Sequence, residues 1–188
     1  MSQVVTRLFD IYADAESAVR ELEAVGVRHQ DITLVCKDDL ARRRAAQDDE
    51  GDVPGHASRA AAEVGGEVGG VAGLLAGIGA LAIPGIGPVM AAGWIVSAIA
   101  GAVIGVTVGS AAGGLVGALA HHGVHEADAH VFAEGVCRGG TLVSAKVPQD
   151  LVPGVEAIFD RFAGVDAATR GAEYRAAGWT RFEGAPTP

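Results

Sequence analysis

Four histidines between positions 121 and 130 come nearest, in type and spacing, to a metal site. His121 and His125 are four positions apart, so an unbroken helix would place both imidazoles on one face as ligands for a transition metal. Gly123 lies between them and predicts the end of a helix instead. His125-Glu126 followed by His130 misses by one residue the His-Glu-x-x-His spacing of zinc proteases. We therefore expect polar residues at a helix junction and no metal site, with His121, His125 and His130 as the candidates if one exists.

A cysteine stands in a pattern that resembles the nucleophile elbow of hydrolases. Gly135-Val136-Cys137-Arg138-Gly139 has the required glycines, but an elbow needs a strand before the nucleophile and a helix after it. The sequence predicts the helix first and the strand second, so we expect Cys137 to be structural. Cys36 ends an apolar run and is expected to be a small buried hydrophobe.

Phosphate-binding motifs are also missing. Gly77-Ile78-Gly79 and Gly85-Ile86-Gly87 do not extend to the dinucleotide fingerprint, and the chain has no Walker pattern. With no nucleophile–base pair and no convincing metal set, we expect no enzyme and no cofactor.

Charge and composition exclude further classes of protein. The 188 residues include 14 Lys+Arg and 23 Asp+Glu, a net charge of −9, which argues against a nucleic-acid partner. The chain is 49% hydrophobic and 20% charged, which is too apolar for a disordered protein. Arg7 and Asp10 interrupt the N-terminus, so we expect no signal peptide and a cytoplasmic or inner-membrane-associated protein. Two cysteines far apart indicate a reducing compartment.

Residues 1–57 read as a strand, a helix, a strand and a polar linker. Val4, Val5, Leu8 and Phe9 predict the first strand, and Asp14 is placed to cap a helix that ends before Gly26. The apolar run 32–36 predicts a second, buried strand.

Residues 123–188 mirror that order. The spacing predicts a helix over 125–137, a strand over 141–147, a helix over 149–162 and a short last strand over 165–170, with Trp179 packing back on the sheet. The fold class predicted is therefore α+β, with a four-stranded, split ferredoxin-like sheet (βαβ…βαβ) interrupted by residues 58–122.

Between these halves, glycine recurs at every fourth position over 65–77 and again over 93–117, where Ser97 takes one of the positions, and no Asp, Glu, Lys or Arg occurs from Val68 to His125. Each glycine costs a helix about 1 kcal/mol relative to alanine, so close helix–helix packing would have to compensate. We predict a helical hairpin over 58–122 whose helices pack through Gly65, Gly69, Gly73, Gly77, Gly93, Ser97, Gly101, Gly105, Gly109, Gly113 and Gly117. The chain reversal is predicted at Pro84, Gly85, Gly87 and Pro88.

Two environments would bury this hairpin. The 89–120 arm is long enough to cross a bilayer, whereas the 68–83 arm is short and cationic anchors are missing. Assembly into a homo-oligomer would bury the same surface. The sequence leaves both the lipid bilayer and self-association open.

Residues 73–89, together with Gly113–Leu119, Glu134–Val136, Arg138–Val143 and the Asp14–Gly26 helix, resemble the bacterial general stress protein 17M-like (heat-induced stress protein YflT) family. The resemblance implies a stress-linked bacterial protein without assigned catalytic residues. We thus expect a non-enzymatic, general stress-related protein that associates with a membrane or self-assembles through its hairpin. The alternative is a small-ligand or metal-sensing regulatory module, since ferredoxin-like domains often bind effectors at their edges.

Overall fold

The computed structural model describes residues 2–37, 79–83, 86–96 and 114–183, and their fold is mixed α+β. In chain order the elements are β1 (Ser2–Phe9), α1 (Tyr12–Ala24), a 3₁₀ turn (His29–Asp31), β2 (Ile32–Lys37), β3 (Gly79–Ile83), β4 (Gly87–Ala92), α2 (Leu115–His121), α3 (Glu126–Cys137), β5 (Thr141–Pro148), α4 (Val152–Arg161) and α5 (Ala167–Ala176).

The strands form one antiparallel sheet in the order β1-β5-β2-β4-β3. The late strand β5 lies between β1 and β2, with Ser2 opposite Pro148 and Ile32 opposite Ala145. β2 is buried on both faces from Ile32 to Cys36, which explains why this strand is a continuous apolar run. β5 is buried from Thr141 to Ala145 and then alternates, with Lys146 and Pro148 exposed. The predicted strands over 32–36 and 141–147 are confirmed, as are the helices over 125–137 and 149–162 to within three residues at each end.

Helices cover the sheet on both faces. On one face, apolar side chains of α1 and α4 pack on the sheet, and the Phe9 and Phe159 rings meet edge to face at 5.8 Å. On the other face, α2, α3 and α5 share a second core with Leu8, Val35 and Leu142. Trp179 is predicted to pack on the sheet; in the structure its ring lies 5.8 Å from that of Tyr174 of α5, at the margin of this second core.

The middle of the chain departs from the predicted helical hairpin. Residues 79–83 and 87–92 are strands, so the helix prediction is wrong there. β4 pairs with β2, and β3 pairs antiparallel with β4 from Gly79↔Ala91 to Ile83↔Gly87, so the chain reverses between Ile83 and Gly87 but joins strands. Of the predicted turn residues, Gly87 and Pro88 belong to β4, and Pro84 and Gly85 lie outside the described residues. The reason is long-range: β2 would otherwise present an unpaired edge, and Gly- and Pro-containing sequence has little helix propensity to oppose strand pairing.

Gly93 is therefore a turn residue, not a helix-packing residue. It ends β4 with a φ of +86°, and a Cβ placed there would lie 2.0 Å from the Ile32 carbonyl oxygen. Gly117 does lie in a helix, half-buried on α2. The other predicted packing positions lie outside the described residues: Gly65, Gly69, Gly73, Gly77, Ser97, Gly101, Gly105, Gly109 and Gly113.

The last predicted strand is also wrong. Only Val165 pairs with the sheet, through an isolated bridge to Leu8. The next residue, Asp166, caps α5, since its side chain accepts a hydrogen bond from the Thr169 amide at 2.8 Å. Asp14, predicted as a cap, is instead the third residue of α1, which begins at Tyr12.

Candidate interaction sites at the edges of the sheet

The outer edge of β1 presents backbone groups that β5 does not use. The Leu8 amide donates to the Val165 carbonyl at 2.9 Å, and the Val165 amide donates to the Leu8 carbonyl at 2.8 Å, so the backbone of Leu8 faces away from β5. Alternate residues of an antiparallel strand share that direction. The N–H and C=O groups of Val4 and Thr6 therefore also face outward.

A groove of about 400 Å³ runs along this edge. Its floor is β1 from Gln3 to Arg7, and its walls come from the starts of two helices and from α4: Gly123, Val124, His125, Asp128, Phe132, Glu156, Asp166, Ala167 and Ala168. The groove exists because α5 begins at Ala167 and carries the chain away from the sheet where a further strand would have followed Val165. We call it the β1 groove.

Arg7 closes one end of the β1 groove. Its Nη1 donates to the Thr6 carbonyl at 3.1 Å, and its guanidinium lies 3.7 Å from a Glu156 carboxylate oxygen and 3.9 Å from one of Asp160. The Arg7 side chain is 16% exposed, and its buried Nε makes no hydrogen bond within the described part of the chain. Arg7 is thus held by one hydrogen bond and two long ion pairs, and it occupies the Thr6 carbonyl. In the part of the chain that the structure describes, nothing is hydrogen-bonded to the outward groups of Val4.

Asp166 and Asp128, two acidic side chains that line the groove, differ in their hydrogen-bonding and charged partners. Hydrogen bonds from Thr169 to Asp166, aided by the nearby charge of Arg7, lower the pKa of that carboxyl. Asp128 is half-buried in the first turn of α3, and residues 2–37, 79–83, 86–96 and 114–183 supply it with no hydrogen bond or salt bridge. Asp128 is therefore an anionic group of the groove that has no cationic partner among the described residues.

A buried row of hydroxyls crosses the sheet beside the groove. Thr6, Ser144 and Thr33 occupy successive strands on the face covered by α3, and the Thr6 and Ser144 hydroxyls are 2.9 Å apart. Thr33 accepts a hydrogen bond from the Ile95 amide at 3.3 Å. Sequence reasoning missed this row because each hydroxyl stands alone in an apolar strand, and only the register aligns them.

The structure does not bring the predicted histidines together. His121 ends α2, His125 precedes α3, and His130 is buried on α3, where its Nε2 lies 3.3 Å from Arg181 Nε. Gly123, with a φ of +93°, separates the two helices as predicted. Among the described residues, no group of three His, Cys, Asp or Glu side chains is placed to hold a metal ion.

His122, one of the four clustered histidines but not one of the three predicted metal-site candidates, packs between two aromatic rings. Its ring lies 4.2 Å from that of Trp94, and His121 is beside it at 5.3 Å. Burial, followed by the charges of His121 and Lys146, lowers the pKa of His122 below its ordinary value.

The two cysteines lie on opposite faces of the sheet. Cys36 is buried in the core formed with α1 and α4, whereas Cys137 ends α3 and packs on the other core. Cys137 is followed by Arg138, two glycines and then β5, so the helix-before-strand order predicted for this segment is confirmed.

The opposite edge of the sheet is β3. Within the described ranges β3 pairs with β4 alone. Its sequence, Gly79-Ala80-Leu81-Ala82-Ile83, contains no charged residue and no proline. Natural edge strands commonly carry such residues, which prevent pairing with another chain. β3 is therefore a second candidate interaction site.

No helix in the described ranges is both long enough and apolar enough to cross a membrane.

Comparisons with protein-family models, with curated proteins and with solved structures give no match to this chain.

Proposed function

We propose that this chain is a non-enzymatic, stress-related protein that self-associates through its uncharged, glycine-rich segment. The observation that carries the proposal is β3, an edge strand without charge or proline that belongs to this segment. Pairing of β3 with the same strand of another copy would extend the sheet across a two-fold axis, which is the commonest symmetry of homo-oligomers.

The sequence around β3 favours self-association of the chain over a monomer. From Val68 to His125 the chain has no formally charged residue other than histidine. Large contiguous apolar patches on a protein surface mark sites of association. The stress role rests on the resemblance of residues 73–89 to the general stress protein 17M-like family.

We infer that the remainder is a split ferredoxin-like module that carries the segment. The order β1-α1-β2 followed by β5-α4 and the Val165 bridge supports this assignment, because α1 and α4 lie on one face and Val165 pairs with the outer edge of β1. β3 and β4 then extend the sheet beyond β2.

The test measures the mass of the intact chain by light scattering after size exclusion, with and without detergent. We expect a homo-oligomer without detergent, and Leu81→Lys should shift it to monomer by placing a charge on the edge strand. Ile11→Lys is the matched control, since Ile11 is an apolar residue 59% exposed outside the sheet, and it should leave the mass unchanged.

Other outcomes contradict the proposal. A wild-type monomer without detergent excludes self-association. A chain that is recovered only with membranes, and only in detergent, favours the bilayer instead. Gly105→Leu combined with Gly109→Leu tests helix packing in the rest of the segment, and immunoblots before and after heat shock of the host test the stress role.

A further inference from the structure

We propose that the β1 groove is a docking site for an extended polypeptide segment that carries a basic side chain. This edge of the sheet is remote in strand order from β3, so the proposal does not depend on self-association through β3.

The backbone provides the first half of the recognition. Val4 presents an N–H and a C=O along the groove floor, and Thr6 presents its N–H, since the Thr6 carbonyl already accepts a hydrogen bond from Arg7. The backbone groups of Val5 and Arg7 face β5. An extended segment added there continues the sheet where the Val165–Leu8 bridge stops. Peptides that bind by strand addition derive affinity from such main-chain hydrogen bonds and specificity from side-chain pockets.

Charge complementarity provides the second part of the recognition of the docked segment. Asp128, Glu156 and Asp166 line the groove, against Arg7 and His125. Arg7 is already shared between Glu156 and Asp160, and Asp128 has no cation among the described residues. A lysine or arginine on the docked segment would supply the missing positive charge beside Val4.

Two other occupants fit these charges less well. A second copy would bring an equally acidic groove and a net charge of −9 against the first, which is unfavourable. An anion would be drawn to the start of α5, but the Asp166 carboxylate already accepts the Thr169 amide and hydroxyl there. A basic extended segment meets both the backbone and the charge requirements.

The experiment titrates the intact chain with a labelled hexapeptide of alternating threonine and valine that contains one lysine, and follows fluorescence anisotropy. The matched peptide has glutamate in place of lysine. We expect the lysine peptide to bind and the glutamate peptide to bind at least about threefold more weakly, the effect of one partly exposed charge pair. In ¹⁵N NMR spectra, the Val4 and Thr6 amides should exchange rapidly with solvent before binding and slowly after it.

Variants of the groove decide between docking here and binding elsewhere. Val4→Pro removes an outward N–H that is not bonded to β5, so it should weaken binding about tenfold, whereas Val4→Thr keeps the N–H and the affinity. Asp128→Asn should remove the preference for lysine. Asp14→Asn is its control, because Asp14 is likewise the third residue of its helix but does not line the groove.

Several results would overturn the proposal. They are no binding of the lysine peptide, equal binding of both peptides, and unchanged affinity in Val4→Pro. If Val4→Pro does not fold, protection of the Val4 amide by the peptide in the wild type decides alone. Slow exchange of that amide without peptide would mean that a second copy or another part of the chain already covers the edge.

Discussion

Replacing Gly93 with alanine distinguishes the turn seen in the structure from the helix predicted by the glycine spacing. In a helix, glycine-to-alanine stabilises the chain by about 1 kcal/mol. In the structure Gly93 has a φ of +86°, and an added Cβ meets the Ile32 carbonyl oxygen at 2.0 Å and Thr33 Oγ1 at 2.7 Å. The two interpretations therefore predict opposite signs.

The expected cost combines two effects. Alanine in the left-handed region loses about 1–2 kcal/mol. Contact with the β2 backbone cannot be relieved by rotating a side chain, so Gly93→Ala forces the strand ends apart at a further cost of about 1–3 kcal/mol. For a chain of this size the sum corresponds to a Tm lowered by about 5–15 °C.

The assay is urea unfolding followed by far-ultraviolet circular dichroism, with two control variants. Gly26→Ala has a φ of +92° but no atom within 4 Å of the new Cβ, so it measures the backbone strain alone. Gly154→Ala lies in α4 with open space around it and should be neutral or stabilising. A Gly93→Ala protein as stable as the wild type, or no less stable than Gly26→Ala, would refute the turn assignment.

Three further predictions concern buried or capped polar groups. Asp166→Ala should lower the free energy of unfolding by about 1 kcal/mol at neutral pH, because it removes the helix cap. Folding lowers the pKa of Asp166, so this contribution is present above pH 3.8 and is lost as the pH falls through the folded pKa. Unfolding curves of the wild type and the variant at a series of acidic pH values check this. Because folding lowers the pKa of His122, the contribution of its neutral ring to stability is full above pH 6.5 and is lost as the pH falls from 6.5 to the folded pKa. His122→Gln should therefore flatten the decline of unfolding free energy between pH 7 and 5. Thr6→Val and Ser144→Ala should each cost about 1–3 kcal/mol by leaving the other hydroxyl without its 2.9 Å partner, whereas the double variant should cost less than their sum in a double-mutant cycle.

Elements whose signals are local were predictable from the sequence. β2 and α4 have apolar runs or helical spacing that match their burial, and Gly26 and Gly123 end helices with positive φ as their positions suggest. β4 was not predictable in this way. Its pairing with β2 is a long-range contact, and the regular glycine spacing around it favoured a helix.

The candidate sites depended even more on tertiary structure. The β1 groove exists because Asp166 caps a helix directly after Val165. The sequence signal for this cap is an aspartate three residues before Thr169, but it lies in a stretch, 165–170, whose pattern predicts a strand. Likewise, the alignment of Thr6 with Ser144 follows from a register between distant strands.

Because β5 lies between β1 and β2 in the sheet, neither early strand can form its pairing with β5 until β5 has been synthesised. Thr6 and Ser144 touch although they are 138 positions apart, so β1 and β2 emerge from the ribosome long before the strand that joins them. Contacts between residues so far apart in the sequence slow folding, and the strand edges that stay unpaired until β5 is available promote aggregation. The nascent chain should therefore need protection by chaperones until β5 is translated, and fragments that end before Thr141 should be insoluble or degraded.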